Sequence, residues 1–274
     1  MILIAGLAAI LGLAIGSFIN VVAYRVPLGL SVVSPPSSCP NCATQIRARD
    51  NVPVVSWMLL GAKCRTCREP ISVRYPLVEM ATGALFFIIA LVFTPPVTEA
   101  TSVATAVSAS LVLVAFLYLA AIAVALTLID LDVHRLPNAL VLPSYLVAGA
   151  LFVAASVVSG DYLPLLRASI GMVVLIAAYF LMAFAYPGGM GIGDVKLAGV
   201  LGLYLGWLGW GTLVVGAFAA FLLGGIFSIG LLISRRASRK SGIPFGPWMF
   251  LGAGVGTFFG EVIADNYLAL VGLK

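Results

Sequence analysis

The sequence predicts an all-α polytopic membrane protein, with about eight transmembrane helices and a cytoplasmic four-cysteine, zinc-type loop between the first two. Three observations lead there. Residues of the AVILMFWYC set fill 62% of the 274 positions and charged residues only 9%, whereas soluble domains are nearer half apolar and a quarter charged. Mean hydropathy is +1.16. Apolar runs of the ~20 residues that a span needs alternate with short polar breaks, apart from one long polar stretch, Arg25 to Pro76. This excludes a soluble globular enzyme, a disordered chain and a secreted disulfide mini-domain. The implied partner is the lipid bilayer, not nucleic acid. The net charge of +5 comes from few bases, confined to short loops where they report orientation.

The apolar runs place spans at about 2–24, 77–94, 104–129, 138–158, 168–186, 195–208, 212–233 and 248–270. The first lacks a basic start and a small-residue cleavage site before Asn20 and Arg25, and its run is too long for a signal peptide. It is expected to be a retained helix. The sixth and seventh share one apolar run that reaches Ser234. The Gly-Trp-Leu-Gly-Trp-Gly stretch at Gly206–Gly211 divides it into two short helices more readily than it fits one very long helix.

The bases orient these spans. Seven of the fifteen Lys and Arg residues lie in the 25–76 loop, as Arg25, Arg47, Arg49, Lys63, Arg65, Arg68 and Arg74. Arg235, Arg236, Arg239 and Lys240 lie in the 235–247 loop, and Arg135 and Lys196 in or beside the 130–137 and 187–196 breaks. Eight spans put all four breaks on one side. The opposite breaks hold Glu99 and Asp161, with Arg167 and Lys274 as the basic exceptions. The positive-inside rule then predicts both termini outside and the basic breaks in the cytoplasm.

Asp130, Asp132 and Asp194 lie at helix ends beside long apolar runs. For any one of them alone, capping a helix or snorkelling to the interface is the simpler account. Their surroundings point further. Asp130 and Asp132 sit in Ile129-Asp130-Leu131-Asp132-Val133-His134-Arg135-Leu136-Pro137, and Asp194 follows the glycines of Gly188-Gly189-Met190-Gly191-Ile192-Gly193. Both segments fall on the predicted cytoplasmic side, so the acids can meet. Two facing carboxylates cannot both ionise cheaply, which yields an acid and a base at one site. The base can activate water toward a peptide carbonyl and the acid can protonate the departing nitrogen. Rival hydrolytic chemistries lack their parts: the chain has no GxSxG, no HExxH and a single histidine, His134. A proton-coupled transporter is the alternative, but it expects acids at mid-bilayer and a repeat between halves.

All four cysteines lie in the long loop as Cys39-x2-Cys42 and Cys64-x2-Cys67. Two CxxC pairs are a four-thiolate zinc signature, here with a 21-residue gap slightly longer than the usual range. A reducing cytoplasm disfavours disulfides, and no βαβ pattern supports a thioredoxin-like redox unit. With four sulfur ligands such a zinc is structural, and it would fold a loop with little core of its own.

At these residues the chain resembles the prepilin peptidases, or type IV leader peptidases, polytopic aspartic proteases of the GxGD type. The likeness runs through Gly16-Ser17-Phe18-Ile19-Asn20 to Pro27, the cysteine loop with Ser56-Trp57 and Gly61-Ala62-Lys63-Cys64-Arg65, and Arg74-Tyr75-Pro76-Leu77-Val78-Glu79. It continues through the Asp130 segment, Gly191-Ile192-Gly193-Asp194-Val195-Lys196-Leu197 and Ile243-Pro244-Phe245-Gly246-Pro247. The resemblance implies Asp194 and Asp130 as the catalytic pair, with Asp132 as the alternative to Asp130. Asn138 departs from the pattern, since family members often carry Asp there.

The resemblance also implies the substrate and the place: basic leaders of type IV prepilins or pseudopilins, cut after a glycine at the cytoplasmic face of a bacterial inner membrane. Many such proteins also methylate the new amino terminus with S-adenosylmethionine. No nucleotide motif shows this here, and Glu79, Asn20 and Arg25 either serve that second site or anchor helices. The resulting division is 1–94 for the first helix, four-cysteine loop and second helix, associated with methyl transfer. Residues 104–233 form the peptidase core with Asp130 and GxGD, and 234–274 the basic loop and last helix.

Overall fold

The computed structural model describes residues 1–186, 189–234 and 242–273. The described residues form helices and loops, with only two isolated β-bridges. In chain order the helices are α1 Ile2–Arg25, α2 Val55–Leu59, α3 Arg74–Phe93, α4 Pro95–Thr98 and α5 Val103–Val133. They continue as α6 Asn138–Ser159, α7 Leu163–Ala185, α8 Ile192–Leu208, α9 Trp210–Ile233 and α10 Gly246–Leu270. Among the described residues, seven helices are long and apolar enough to cross a membrane. The four cysteines lie between the first two of these, so the chain is an all-α multi-pass membrane protein of the expected kind.

The sixth expected span, 195–208, is α8, and it differs from the rest. It has 17 residues, about 25 Å at 1.5 Å per residue, short of a ~30 Å hydrocarbon core. Val195 and every residue from Leu197 to Gly206 are buried, so protein rather than lipid surrounds it. A helix apolar on all sides is expected in such a place. Gly209, extended at φ 170°, separates α8 from α9, as the glycine-tryptophan stretch predicts.

The chain divides into two compact units, Met1–Ala125 and Leu126–Lys274. In the first, α1 and α3 pair antiparallel through glycine. A Cβ on Gly12 would lie 2.8 Å from Phe86 Cβ and the Thr82 carbonyl, and one on Gly16 would lie 2.7 Å from Glu79 Cα. Phe93 and Phe116 stack at 4.3 Å between α3 and α5.

In the second unit, α7 and α8 run antiparallel with backbones in contact. Gly171 faces Gly202, and Gly206 faces the Arg167 carbonyl. Helices α9 and α10 pair in the same manner, Gly260 and Gly256 against Thr212 and Gly252 against Ala220. Helix α6 lies alongside α8, where Phe152 meets Tyr204 at 5.2 Å and stacks on Trp207 at 4.4 Å. These pairings place the C-terminus of α7 and the N-termini of α6, α8 and α10 at one end of the unit. The α5 residues after Ala125 reach that same end, through contacts described below.

Arg167 lies inside α7, not in a break, because that helix begins at Leu163. Its Nη2 donates to the Trp207 carbonyl at 3.1 Å, in the last turn of α8. Across the Gly209 turn, Glu261 of α10 accepts from the N–H of Thr212 at 3.1 Å and its hydroxyl at 3.3 Å. A cation thus sits at the negative end of one helix and an anion at the positive end of the next. Arg167 is an exception to the charge asymmetry because it holds a helix end. Arg235, Arg236, Arg239, Lys240 and Lys274 lie outside the described residues.

Candidate functional site

Asp130 is near the C-terminus of α5, and His134 closes that helix with a left-handed φ of 51° while its N–H bonds the Asp130 carbonyl. The Asp130 side chain is 4% exposed. Its Oδ2 accepts the backbone N–H of Gly246, the first residue of α10, at 2.9 Å. A Cβ at position 246 would lie 2.7 Å from that oxygen, so a side chain there would displace the carboxylate.

Asp194 occupies the first turn of α8, where an acid interacts favourably with the helix dipole. It is half-buried. Its Oδ2 accepts the Gly191 N–H at 3.1 Å, while its own N–H bonds the Gly191 carbonyl at 3.0 Å. Free N–H groups at a helix start need such partners, so the GxGD turn and its acid fold as one element.

One side chain ties the two acids together. Leu136 lies 3.2 Å from where a Cβ on Gly193 would stand and 3.3 Å from one on Gly246. It therefore packs beside both Asp194 and the group that holds Asp130. The buried Tyr179 of α7 faces Phe245, the neighbour of Gly246 in the chain, at 6.4 Å. Tyr179, Phe221 and Phe245 form an aromatic wall with centroids 5.2 to 6.4 Å apart. Asp132 is exposed on α5, as two residues of helix dictate for a partner of a buried acid. Lys196 donates to Asn138 Oδ1 at 3.0 Å; the neutral amide oxygen at this departure from the family pattern accepts a hydrogen bond from the ammonium of the segment carrying Asp194.

Gly246, Leu136 and Tyr179 were not legible as site residues. Gly246 belongs to a quoted motif, but spacing does not reveal that its N–H meets Asp130. Leu136 and Tyr179 carry no signal beyond an apolar pattern.

The cysteine loop in the first unit is two copies of one knuckle. Cys39 and Cys64 N–H bond the carbonyls five residues on, Thr44 and Glu69. The N–H of Ala43 and Arg68 return to the Cys39 and Cys64 carbonyls, and both residues are left-handed, φ 55° and 64°. A bridge closes each, Ser38 with Gln45 and Lys63 with Pro70. The four sulfurs lie within 4.8 Å of one another, and Cys39 and Cys67 are 3.7 Å apart. A tetrahedron with Zn–S arms of about 2.3 Å has edges of about 3.8 Å, so the group could hold a metal. Hydrogen bonding with the Thr44 hydroxyl and backbone holds the Cys42 thiol down to about 6, while, against the Glu69 backbone hydrogen bond, burial and the neighbouring sulfurs push the Cys67 thiol up to about 11, so in the metal-free loop the four sulfurs share less than four negative charges. Arg65 forms a two-point pair with Asp50 at 2.6 and 2.9 Å.

Glu79, Asn20 and Arg25 hold this unit together. Buried Glu79 accepts the Val54 N–H at 2.7 Å, and Asn20 donates to the Tyr75 carbonyl at 3.2 Å. Arg25 donates to the Ser31 and Pro35 carbonyls at 2.9 and 2.8 Å. Beside Arg25 lies a cavity of about 370 Å³ lined by Ser17, Phe18, Val33 and Asn51.

Helices, acid-bearing helix ends and a thiolate loop thus define a multi-pass membrane protein with its polar chemistry at helix termini. Residues 10–93 match the bacterial peptidase A24 N-terminal domain, and residues 117–229 match the type IV leader peptidase family. A prepilin leader peptidase/N-methyltransferase of Aeromonas salmonicida is 33% identical over 97% of this chain and 94% of its own. Proteins of the same description from Pseudomonas aeruginosa and Neisseria gonorrhoeae are each 33% identical, covering 97% and 88% of this chain and 93% and 85% of their own. No solved structure matches. The chain belongs to the type IV leader peptidase family and is an enzyme of that peptidase class.

Proposed function

We propose that this protein is a membrane aspartic endopeptidase that removes the basic leader of type IV prepilins or pseudopilins after a glycine. Asp130 and Asp194 are its catalytic pair. What carries the reading is the packing of Leu136 against both Gly193 and Gly246, which brings the two acids to one end of the second unit. Each carboxylate has one oxygen on a backbone N–H, which fixes its orientation. The acid that is ionised takes a proton from water as the oxygen attacks the scissile carbonyl. The acid that is protonated delivers its proton to the departing nitrogen. Asp132, exposed, has no part in this.

The basic breaks support acids at the cytoplasmic face of a bacterial inner membrane, with both termini outside. Helix α8 reverses direction between α7 and α9 and counts as a pass, so the number of passes is even. Residues 104–233 form the peptidase core, and 234–274 form the basic loop and last helix.

Residues 1–94 serve the second activity, N-methylation of the new amino terminus, which the names of the relatives support. S-adenosylmethionine supplies the methyl group when bound. A zinc ion on Cys39, Cys42, Cys64 and Cys67 holds the loop in shape; the 3.7 Å Cys39–Cys67 separation supports it. Incubating the purified enzyme with a prepilin and weighing the product tests both activities. A product shortened by the leader is expected, with a further methyl when S-adenosylmethionine is added. Intact prepilin would refute the peptidase reading.

A further inference from the structure

The loop between α1 and α3 contains a face that water does not explain. Helix α2 turns Ser56 inward, where its hydroxyl accepts the Val52 N–H and donates to the Arg49 carbonyl, both at 3.0 Å. On the other side Val55, Met58 and Leu59, at helical spacing i, i+3, i+4, are 50%, 67% and 83% exposed. Such a cluster on a five-residue helix in a polar loop marks a contact.

Its position identifies the contact. The Val54 N–H, just before α2, bonds Glu79 in the second turn of α3 at 2.7 Å. Trp57 Nε1 bonds the Ile71 carbonyl, just before α3, at 3.0 Å. Two bonds thus fix α2 beside the start of a spanning helix, at the depth where a bilayer meets water. The loop from Arg25 to Pro76 also carries seven bases against two acids, Asp50 and Glu69, and exposed Lys63 follows Leu59 by four residues. An apolar face with bases around it is the composition that settles in an anionic lipid interface.

We propose that α2 is a membrane foot. Val55, Met58 and Leu59 insert among the lipid headgroups beside α3, and bases of the loop, Lys63 among them, meet anionic lipid phosphates.

The test is photo-cross-linking in the full-length protein. p-Benzoylphenylalanine replaces Met58, Leu59 or, as a control in the first knuckle, exposed Gln45. Each variant is reconstituted in nanodiscs of phosphatidylglycerol and phosphatidylcholine and compared with wild type for thermal unfolding. Lipid adducts by mass spectrometry are expected at positions 58 and 59 and not at 45. In phosphatidylcholine alone, the docked-to-undocked ratio should fall about fivefold for each base engaged. Cross-links to another protein chain, no lipid adduct at 58 and 59, or equal lipid labelling at 45 would overturn the foot. Equal yields in the two lipid compositions would overturn the role of the bases.

Discussion

The backbone N–H of Gly246 donates to Asp130 Oδ2 at 2.9 Å, across 116 positions of sequence. A buried carboxylate is thereby held by a peptide group, and a side chain on the residue that supplies it would crowd that carboxylate. Replacing Gly246 with Ala is expected to push Asp130 aside. Overpacking of this kind costs about 1–3 kcal/mol, and cleavage should fall while the helices persist. Circular dichroism and a prepilin cleavage assay on the same sample check this; wild-type rates would remove Gly246 from the site.

Asp130→Asn and Asp194→Asn should each lower the cleavage rate by roughly 10²- to 10⁴-fold, the usual contribution of a general acid or base. Asp132→Asn should leave it near wild type, because that side chain is exposed on α5. Single-turnover cleavage of a prepilin by the three variants separates them, and an Asp132→Asn enzyme as slow as Asp130→Asn would reassign the pair.

One zinc per chain is expected by elemental analysis of protein purified without chelator. Replacing any of Cys39, Cys42, Cys64 or Cys67 with Ser should remove it and open the loop to protease. Acid should release the metal as the thiolates regain protons, and full retention of zinc in a Cys39→Ser/Cys64→Ser protein would place the ion elsewhere.

The α8–α9 turn is held by two charged side chains, and their removal should be felt in stability before chemistry. Glu261→Ala leaves the first turn of α9 without the acceptor for the Thr212 N–H. Loss of a helix cap costs about 0.5–2 kcal/mol. A lower Tm is expected, with residual activity on the folded fraction unchanged; an unaltered Tm would mean that another acceptor takes over.

The membrane class, the helix hairpins and the two acid-bearing segments were legible because apolar runs and rare charges have few explanations in lipid. The division at Gly209 was legible for the same reason: glycine and tryptophan interrupt one run. Two features were not. Helix α8 reads as an ordinary span, because an apolar sequence cannot say whether lipid or protein covers it. Arg167 reads as a loop marker, because its partner is a carbonyl 40 residues away. Backbone groups such as the Gly246 N–H have no side-chain signature, so that part of the acid site could come only from the fold.

Where α7 and α8 touch, glycine lets one main chain rest against the other at Gly171 and Gly202. The seat of α8 along its axis is therefore set by hard peptide surfaces with little slack, and Asp194 rides on its tip. Bulk introduced two or more turns below the tip would lift or tilt the whole rod. Such a lesion is expected to slow prepilin cleavage from a distance, in a protein that still folds.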